Sequence, residues 1–187
     1  MLIRKSVGVH TIKPDKAYYR QASNRLLFRS IKNEDIQDWL AFFEEDDAYY
    51  RFLGADQSIP KLTRATNWVE KQIERMTEGE FGQLAVIEES SGQLIGLGGI
   101  IPREFGNNYE YEITYSLIPQ YWRKGYGIEL AQHFRDYAKS TMPIQSVISM
   151  IHPNNAPSIK VAEKNAMILD GEHFIFGMTV LVYRYTF

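Results

Sequence analysis

The sequence predicts a mixed α/β fold, because apolar residues recur with period two in some segments and with helical period in others. The predicted order is β-α-α-β-β-β-α-β-α-β-β, which is typical of a sheet layered with helices. Of the 187 residues, 44% are hydrophobic and 24% charged, as in globular domains. Repeats, low-complexity tracts and linkers are absent, so a single domain is predicted over residues 25–187.

The N-terminal part begins with residues 1–24, which show no sustained period and are predicted to be an extension. Arg25–Arg29 is a short apolar run that predicts the first strand. Asn33 can cap a helix whose apolar residues follow at helical spacing as far as Phe43. A second helical pattern covers Thr66–Met76.

Strand patterns dominate the middle of the chain. Gln83–Glu88 and Leu94–Ile101 flank a Ser-Gly pair and predict a hairpin. Tyr109–Ile118 is rich in aromatic and β-branched residues, and it predicts the fourth strand. Pro119 ends that strand, because proline cannot continue a sheet ladder.

The C-terminal part returns to alternating helices and strands. A helical face begins at Gly127, and Val147–Ile151 predicts a buried fifth strand. Asn155 caps a short helix that is predicted to reach about Ala166. The last two predicted strands, on either side of Gly177, are Glu172–Phe176 and Thr179–Phe187.

Composition excludes several functions. The chain has no cysteine, which excludes disulfides, thiolate metal sites and a thiol nucleophile. Its four histidines lack metal-binding spacing, so no metal is expected. The net charge of −2 and scattered basic residues argue against nucleic acid. No apolar run approaches the roughly 20 residues that span a bilayer, and the N-terminus lacks a signal-peptide pattern, so no membrane partner and a cytoplasmic location are expected.

The most informative stretch is the turn Tyr121–Ile128, where a strand passes into a helix. Gly125 and Gly127 would let the backbone approach a ligand closely, and the first amides of the helix have no intrahelical partners. With the positive end of the helix dipole and the side chains of Arg123 and Lys124, the turn suits a diphosphate. The alternative is that the glycines only permit a tight turn.

Two other nucleotide-binding patterns do not fit. The turn lacks the G-x-x-x-x-G-K-[ST] pattern of a Walker A loop. The segment Gly96-Leu97-Gly98-Gly99 is rich in glycine, but Ile101 stands where G-x-G-x-x-G requires glycine. These glycines are predicted to mark a bulge or close backbone packing within a strand.

Four segments in order resemble the GNAT acetyltransferases, especially the branch similar to ribosomal-protein N-terminal acetyltransferases (RimJ/RimL-like). The resemblance extends over nearly all of residues 24–185. It lies in the opening strand, the fourth strand, the diphosphate turn and a later N-x-x-S…K segment: Asn24–Arg29, Glu112–Leu117, Trp122–Gly127, and Asn155–Ser158 with Lys164. Asn165-Ala166-Met167 stands where the family usually has a small residue, Gly and Phe.

The resemblance implies a mostly antiparallel sheet of about seven strands, flanked by helices and splayed between strands four and five. It also implies transfer of the acetyl group of acetyl-CoA, the co-substrate, directly to a primary amine of a protein N-terminus or a small molecule. Tyr115–Ile118 would meet the pantetheine arm and thioester. The predicted cofactor-binding residues are Leu117, Ile118, Arg123, Lys124, Gly125, Tyr126, Gly127, Ile128 and Asn155.

Glu112 is the candidate general base, either directly or through a water, and Glu110 on the same strand face is its alternative. A surface carboxylate without catalytic role is the competing interpretation of Glu112. Ser158 could donate a proton to the departing thiolate, or bond only to its own helix terminus. Tyr183 resembles a tyrosine that often points into this site, but a core position is favoured for it.

Several questions stay open at this point. A catalytically idle acetyl-CoA-binding or interaction module is the alternative to an enzyme, and a cofactor-free structural domain is a third interpretation. The acceptor is not identified; segments near residues 30–65 would form its site. The acidic run Glu44–Asp47 could select a cationic amine, although a solvated helix end is favoured. A homodimer is possible through the edge of the last strands.

Overall fold

The structure is a computed structural model that describes residues 12–44, 52, 53, 56, 58–105, 108–175 and 177–187. Its helices are α1 (Asp35–Glu44), α2 (Lys61–Thr77), α3 (Tyr126–Thr141) and α4 (Ala156–Lys164). Its strands are β1 (Arg20–Ala22), β2 (Leu26–Arg29), β3 (Gln83–Glu88), β4 (Leu94–Phe105), β5 (Asn108–Leu117), β6 (Ser146–Ile151), β7 (Ile168–Ile175) and β8 (Met178–Thr186). Among the helices of these residues, none has the length and apolar character needed to cross a membrane.

The described strands form one sheet in the order β1-β2-β3-β4-β5-β6-β8-β7. Neighbouring strands are antiparallel except β5 and β6, which are parallel and meet at the single pair Glu112–Ile148. The predicted mixed, mostly antiparallel fold is therefore confirmed, with the splay between the predicted strands four and five, which are β5 and β6. The sheet has eight strands rather than about seven, because β1 adds an edge strand beside β2.

Strand β4 is longer than the predicted Leu94–Ile101, which ended before Pro102. Ile118 donates its N–H to the carbonyl of Ile95 at 2.9 Å, and these residues share the register that pairs Pro102 with Tyr111. Because hydrogen-bonded and non-hydrogen-bonded pairs alternate along this ladder, the backbone nitrogen of Pro102 points away from β5. Strand β3 does not reach this position, since its first residue, Gln83, pairs with Gly99. Proline therefore removes no ladder bond, and the strand continues through it.

Tyr18 connects the N-terminal segment to the sheet. It follows Asp15, which caps a 3-10 turn over Lys16–Tyr19. The Tyr18 hydroxyl donates to the Gly82 carbonyl and accepts the Ile100 N–H at 2.9 Å, where β3 and β4 separate. Its ring is completely buried among core aromatics. Described residues of the predicted extension thus pack on the sheet, while the domain boundary at residue 25 stays a prediction.

The glycine-rich segment of β4 serves packing. A Cβ on Gly98 would lie 2.6 Å from Leu130 Cδ1, so α3 approaches the sheet as closely as a residue without a side chain allows. A Cβ on Gly96 would lie 2.4 Å from the Ser116 carbonyl oxygen of β5. The prediction of close backbone packing is confirmed at these positions.

Helix α2 and strand β7 also begin earlier in the chain than predicted. Helix α2 begins at Lys61 rather than Thr66, because the Arg64 N–H bonds to the Pro60 carbonyl at 3.1 Å and proline suits a helix start. Strand β7 begins at Ile168 rather than Glu172. It lies at the sheet edge and exposes Ile168, Leu169 and Phe174. The homodimer through this edge stays a prediction.

Candidate active site

The gap between β5 and β6 is the main irregularity of the sheet. Beyond the pair Glu112–Ile148, the Ser149 hydroxyl still donates to the Ile113 carbonyl at 2.9 Å, and then the strands diverge. Because the Ile118 N–H faces β4, strand alternation turns the amides of Tyr115 and Leu117 toward the gap. Backbone donors along one side of a gap can hold an extended ligand by hydrogen bonds of the kind found in a strand ladder.

Leu117 and Ile118 are the two predicted cofactor-binding residues at the end of β5. Of these, only Leu117 has its backbone N–H on the side of the gap. The Leu117 carbonyl accepts the Trp122 indole N–H at 2.6 Å, which leaves its amide for a ligand. The amide of Ile118 is used by Ile95, and the Ile118 side chain is buried. Any contact of Ile118 with a cofactor would therefore not involve its amide.

The turn that follows has the backbone of an anion site. Arg123 has φ 62° and Gly125 has φ 84°, both left-handed, and alternating conformations of this kind point successive N–H groups inward. Gly125 is the N-cap of α3 and has no side chain to cap it. The first bond into the helix runs from Glu129 N to Gly125 O at 3.2 Å. The amides of residues 126–128 therefore lack intrahelical partners at the positive end of the dipole.

The side chains of the turn divide into two groups. Arg123 and Lys124 are exposed, so they can move toward an anion; the Lys124 ammonium lies 4.9 Å from the centre of the Tyr121 ring. The Tyr126 side chain is buried and bonds to Glu88, so only its backbone can face a ligand. A Cβ on Gly127 would make ordinary contacts, 3.5 Å from Val161 Cγ2. The donor set fits a diphosphate.

Arg25 and Glu129 hold this turn, and sequence reasoning did not single out either residue for this role. The Glu129 carboxylate accepts the Arg25 backbone N–H and Nε, both at 2.7 Å, and the Ser23 hydroxyl at 2.7 Å. Arg25 Nη1 donates to the Lys124 carbonyl at 3.0 Å, and its guanidinium lies 4.4 Å from the centre of the Tyr126 ring. Burial raises the pKa of Glu129, but the hydrogen bonds from Ser23 and Arg25 outweigh this effect and lower the pKa below its usual value. The turn is thus fixed from the first predicted strand.

A cavity of about 620 Å³ lies beside the gap and collects several predicted residues. Its described lining includes Glu112, Tyr115, Asn155 and Ser158. Asn155 Oδ1 accepts the Ser158 N–H at 3.3 Å, so the predicted cap of α4 is confirmed. The Tyr115 hydroxyl donates to the Ser158 carbonyl at 3.2 Å, and burial raises the pKa of this phenol. The Glu112 carboxylate and the side chains of Tyr115 and Ser158 thus line one cavity.

Glu112 is buried, with 6% of its surface exposed, so the interpretation as a surface carboxylate is wrong. Its Oε2 lies 2.6 Å from Arg103 Nε, and its Oε1 accepts the Met150 N–H at 3.3 Å across the start of the gap. Glu110 does not line the cavity, and it pairs with Arg184 at 3.0 Å. Of the two predicted carboxylates, Glu112 alone borders the cavity.

The remaining sequence predictions fall outside this cavity. Tyr183 is buried in a small cluster with Ile151, Ala162 and Met167, so its core position is confirmed. Residues 45–47 of the acidic run lie outside the described residues. Within the described part of the chain, no group of three or more histidine and acidic residues could hold a metal.

Comparison with known proteins identifies the family and the fold. The acetyltransferase (GNAT) domain family matches residues 25–168. The uncharacterized protein YkkB of Bacillus subtilis is 32% identical over 146 residues, which cover 78% of this chain and 83% of YkkB. Two solved structures have the same fold at 16% identity. A putative ribosomal-protein-serine acetyltransferase from Vibrio cholerae has a TM-score of 0.75, with 94% of this chain and 99% of that chain covered. The ribosomal L7/L12 alpha-N-protein acetyltransferase RimL in complex with coenzyme A has a TM-score of 0.72, with 89% and 96% covered. This chain belongs to the GNAT family of acetyltransferases.

Proposed function

We propose that this acetyltransferase moves the acetyl group of acetyl-CoA directly to a primary amine, of a protein N-terminus or a small molecule. The observation that carries the proposal is the turn at Gly125, whose three uncapped amides follow β5, the strand on one side of the gap. A diphosphate at the turn would let the pantetheine arm run along Leu117 and Tyr115 toward the cavity. The RimL structure, which has this fold, contains coenzyme A.

The reaction needs few groups. The amine loses a proton and attacks the thioester carbon; the C–N bond forms, the C–S bond breaks, and the thiolate takes up a proton. Glu112 would accept the amine proton directly or through a water, since it is the carboxylate among the described residues that line the cavity. Ser158, at the first turn of α4, would donate to the thiolate. Bound acetyl-CoA supplies the activated acyl group.

One observation favours a second role for Glu112. Its two oxygens already bond Arg103 and the Met150 N–H, so the side chain also joins β5 to β6 where they begin to diverge. If this were its whole role, the chain could bind acetyl-CoA without transferring the acetyl group. An idle binding module is therefore the second candidate.

A single set of assays separates these candidates. Consumption of acetyl-CoA is measured across peptides, amino acids, polyamines and aminoglycosides for the wild type, Glu112→Gln and Glu110→Gln. The second variant is a matched control, because it makes the same change two residues away, outside the cavity. We expect Glu112→Gln to lower kcat by about 10²-fold or more, as for loss of a general base, with unchanged binding of CoA.

Other results would contradict the proposal. Equal loss of kcat in Glu112→Gln and Glu110→Gln would show that Glu112 has a structural role and is not the general base. Tight binding of CoA by the wild type without transfer to any amine would support the idle module. Absence of a thermal shift with CoA would remove both candidates, since a ligand at 100 times its Kd stabilises a protein by about 2.7 kcal/mol.

A further inference from the structure

Apolar side chains form much of the cavity wall. The described lining includes Phe52, Leu53, Ile59, Trp68, Ile101 and Met150. Leu53 and Ile59 are also open to solvent, with 46% and 37% of their surface exposed. Single apolar residues on a surface are ordinary, but these two border the same cavity and form an apolar rim where it meets the solvent. A ligand that covers the apolar rim removes this surface from water, which favours binding.

The backbone at Ile59 is held in place by α2. Arg64 Nε donates to the Ile59 carbonyl, and the Arg64 backbone N–H donates to the Pro60 carbonyl, both at 3.1 Å. A residue that precedes proline is also restricted to extended conformations. This part of the apolar rim is therefore ordered before a ligand binds, which reduces the entropy lost on binding.

Deeper in the cavity, an apolar side chain lies beside the candidate base. Ile101 of β4 is directly opposite Glu112 of β5, and both side chains line the cavity. Opposite residues of an antiparallel pair lie on the same face, with their Cβ atoms about 4.5–5.5 Å apart. Met150, whose N–H bonds to the Glu112 carboxylate at 3.3 Å, lines the same space. An amine at Glu112 would therefore place its substituent close to Ile101 and Met150.

Several polar groups of the wall already bond to one another. The Trp68 indole N–H donates to Gln83 at 2.6 Å, and Gln83 Nε2 donates to the Thr114 hydroxyl at 3.1 Å. The Gln83 backbone N–H donates to the Gln72 side chain at 2.8 Å. All four residues line the cavity. A ligand rich in hydroxyl or amino groups would have to compete with these hydrogen bonds.

Charged residues of the lining pair with carboxylates. Arg103 bonds to Glu112 at 2.6 Å inside the cavity. The pairs along α2 are Lys71 with Glu74 and Arg75 with Glu80. Because each pair brings opposite charges together, these pairs leave little net charge to select an ionic acceptor.

We propose that the acetyl acceptor carries an apolar group, aliphatic or aromatic, close to its primary amine; this rests on the proposed amine acetylation. The amine would lie at Glu112, and the apolar group would extend along Ile101 toward the apolar rim. Each methylene buried in this way is expected to raise kcat/KM about fourfold. Polyamines and aminoglycosides, which carry charged or hydroxyl groups near each amine, would be poor acceptors.

The test uses n-alkylamines from ethylamine to hexylamine, which carry the same charge and differ only in apolar length. We expect kcat/KM to rise about fourfold per methylene until the apolar wall is covered. Butylamine is compared with 3-aminopropanol, in which a hydroxyl replaces the terminal methyl group, and spermidine is the polycation. The amidated peptides Leu-Gly-Gly and Ser-Gly-Gly make the same comparison at a protein N-terminus. The class that is acetylated faster identifies the source of the acceptor, and its apolar member should lead by about tenfold or more.

The variants Ile59→Ser and Leu62→Ser are a matched pair on either side of the start of α2. Both change exposed side chains, but Leu62, which is 48% exposed, is not part of the described lining. Ile59→Ser should lower kcat/KM for hexylamine more than for ethylamine, and Leu62→Ser should keep the wild-type dependence on length. Ile101→Val removes one methylene beside Glu112 and should shift the preference toward a longer amine. Thermal shift with CoA is recorded for each variant and should not change.

Three results would overturn the inference while leaving the acetylation itself intact. One is a kcat/KM that does not depend on the length of the alkylamine. Another is acetylation of spermidine or 3-aminopropanol at least as fast as that of butylamine. The third is a dependence on length that neither Ile59→Ser nor Ile101→Val changes. Binding of CoA without transfer to any amine would refute the proposed function, and the inference would fall with it.

Discussion

Replacement of Gly125 by alanine tests the diphosphate turn most directly. At φ 84° an L residue costs about 1–2 kcal/mol relative to glycine. Its Cβ would also lie 3.3 Å from Arg25 Nη2, so the guanidinium that bonds the Lys124 carbonyl must move by a few tenths of an ångström; with the strained φ, this is expected to shift the turn. If the shift removes one amide bond to a charged phosphate oxygen, about 1.5–3 kcal/mol of binding is lost. This corresponds to about 10- to 150-fold in Kd for CoA.

The assay is calorimetric titration with CoA and with pantetheine, which lacks the diphosphate. Gly125→Ala should weaken binding of CoA and leave that of pantetheine unchanged. The control is Gly92→Ala, because Gly92 has φ 69° in the β3–β4 hairpin and a Cβ there would meet nothing within 4 Å. It should lose similar stability and keep the wild-type Kd. An unchanged Kd in Gly125→Ala, or an equal rise in Gly92→Ala, would refute the reasoning about the turn.

Three predictions concern stability. Tyr18→Phe leaves a buried N–H and C=O without their partner and should destabilise the protein by about 1–3 kcal/mol, measured by urea unfolding; Tyr19→Phe should cost less, because its hydroxyl is only part-buried. Ala166→Gly should stabilise the protein by about 0.5–1 kcal/mol. Glycine relieves about 1–2 kcal/mol of backbone strain at φ 59°, which exceeds the cost of the added conformational entropy of the unfolded chain. At a position with an ordinary negative φ, the same change would destabilise the protein. Burial lowers the pKa of His133 from 6.5, so the unfolded state binds the proton more tightly and stability falls as the pH drops through 6.5. The Tm of His133→Gln should therefore depend less on pH over this range, and equal slopes would show that this imidazole contributes nothing.

The parts of the site that the sequence predicted are the local ones. The glycine at the helix start and the cap at Asn155 are determined by residues a few positions apart, so chain order is enough to identify them. The period-two and helical patterns likewise predicted most of the strands and helices. Strand β4 extends past the predicted Ile101 because Pro102 lies where neither neighbouring strand offers a ladder bond, and only the register of the sheet shows this.

The contacts that the sequence could not predict are distant in the chain. Arg25 and Glu129 are 104 residues apart, and nothing in either segment indicates that they pair and so fix the turn at Gly125. Arg103 and Glu112 lie across a hairpin, and their pairing depends on the register of β4 and β5. Arg64, Lys71 and Arg75 share one side of α2 by their spacing, but that this side lines the cavity depends on the fold.

The buried hydroxyl of Tyr18 has a practical consequence for protein engineering. The family match starts at residue 25, so a shortened version that begins there is an obvious choice for expression. Such a truncation would remove the ring that fills the core beneath β3 and β4, and it would strip β1 from β2. The newly bared margin of the sheet would offer unpaired backbone groups to other molecules. A trimmed protein is thus expected to aggregate, and expression of this acetyltransferase should retain the residues from Ile12 onward.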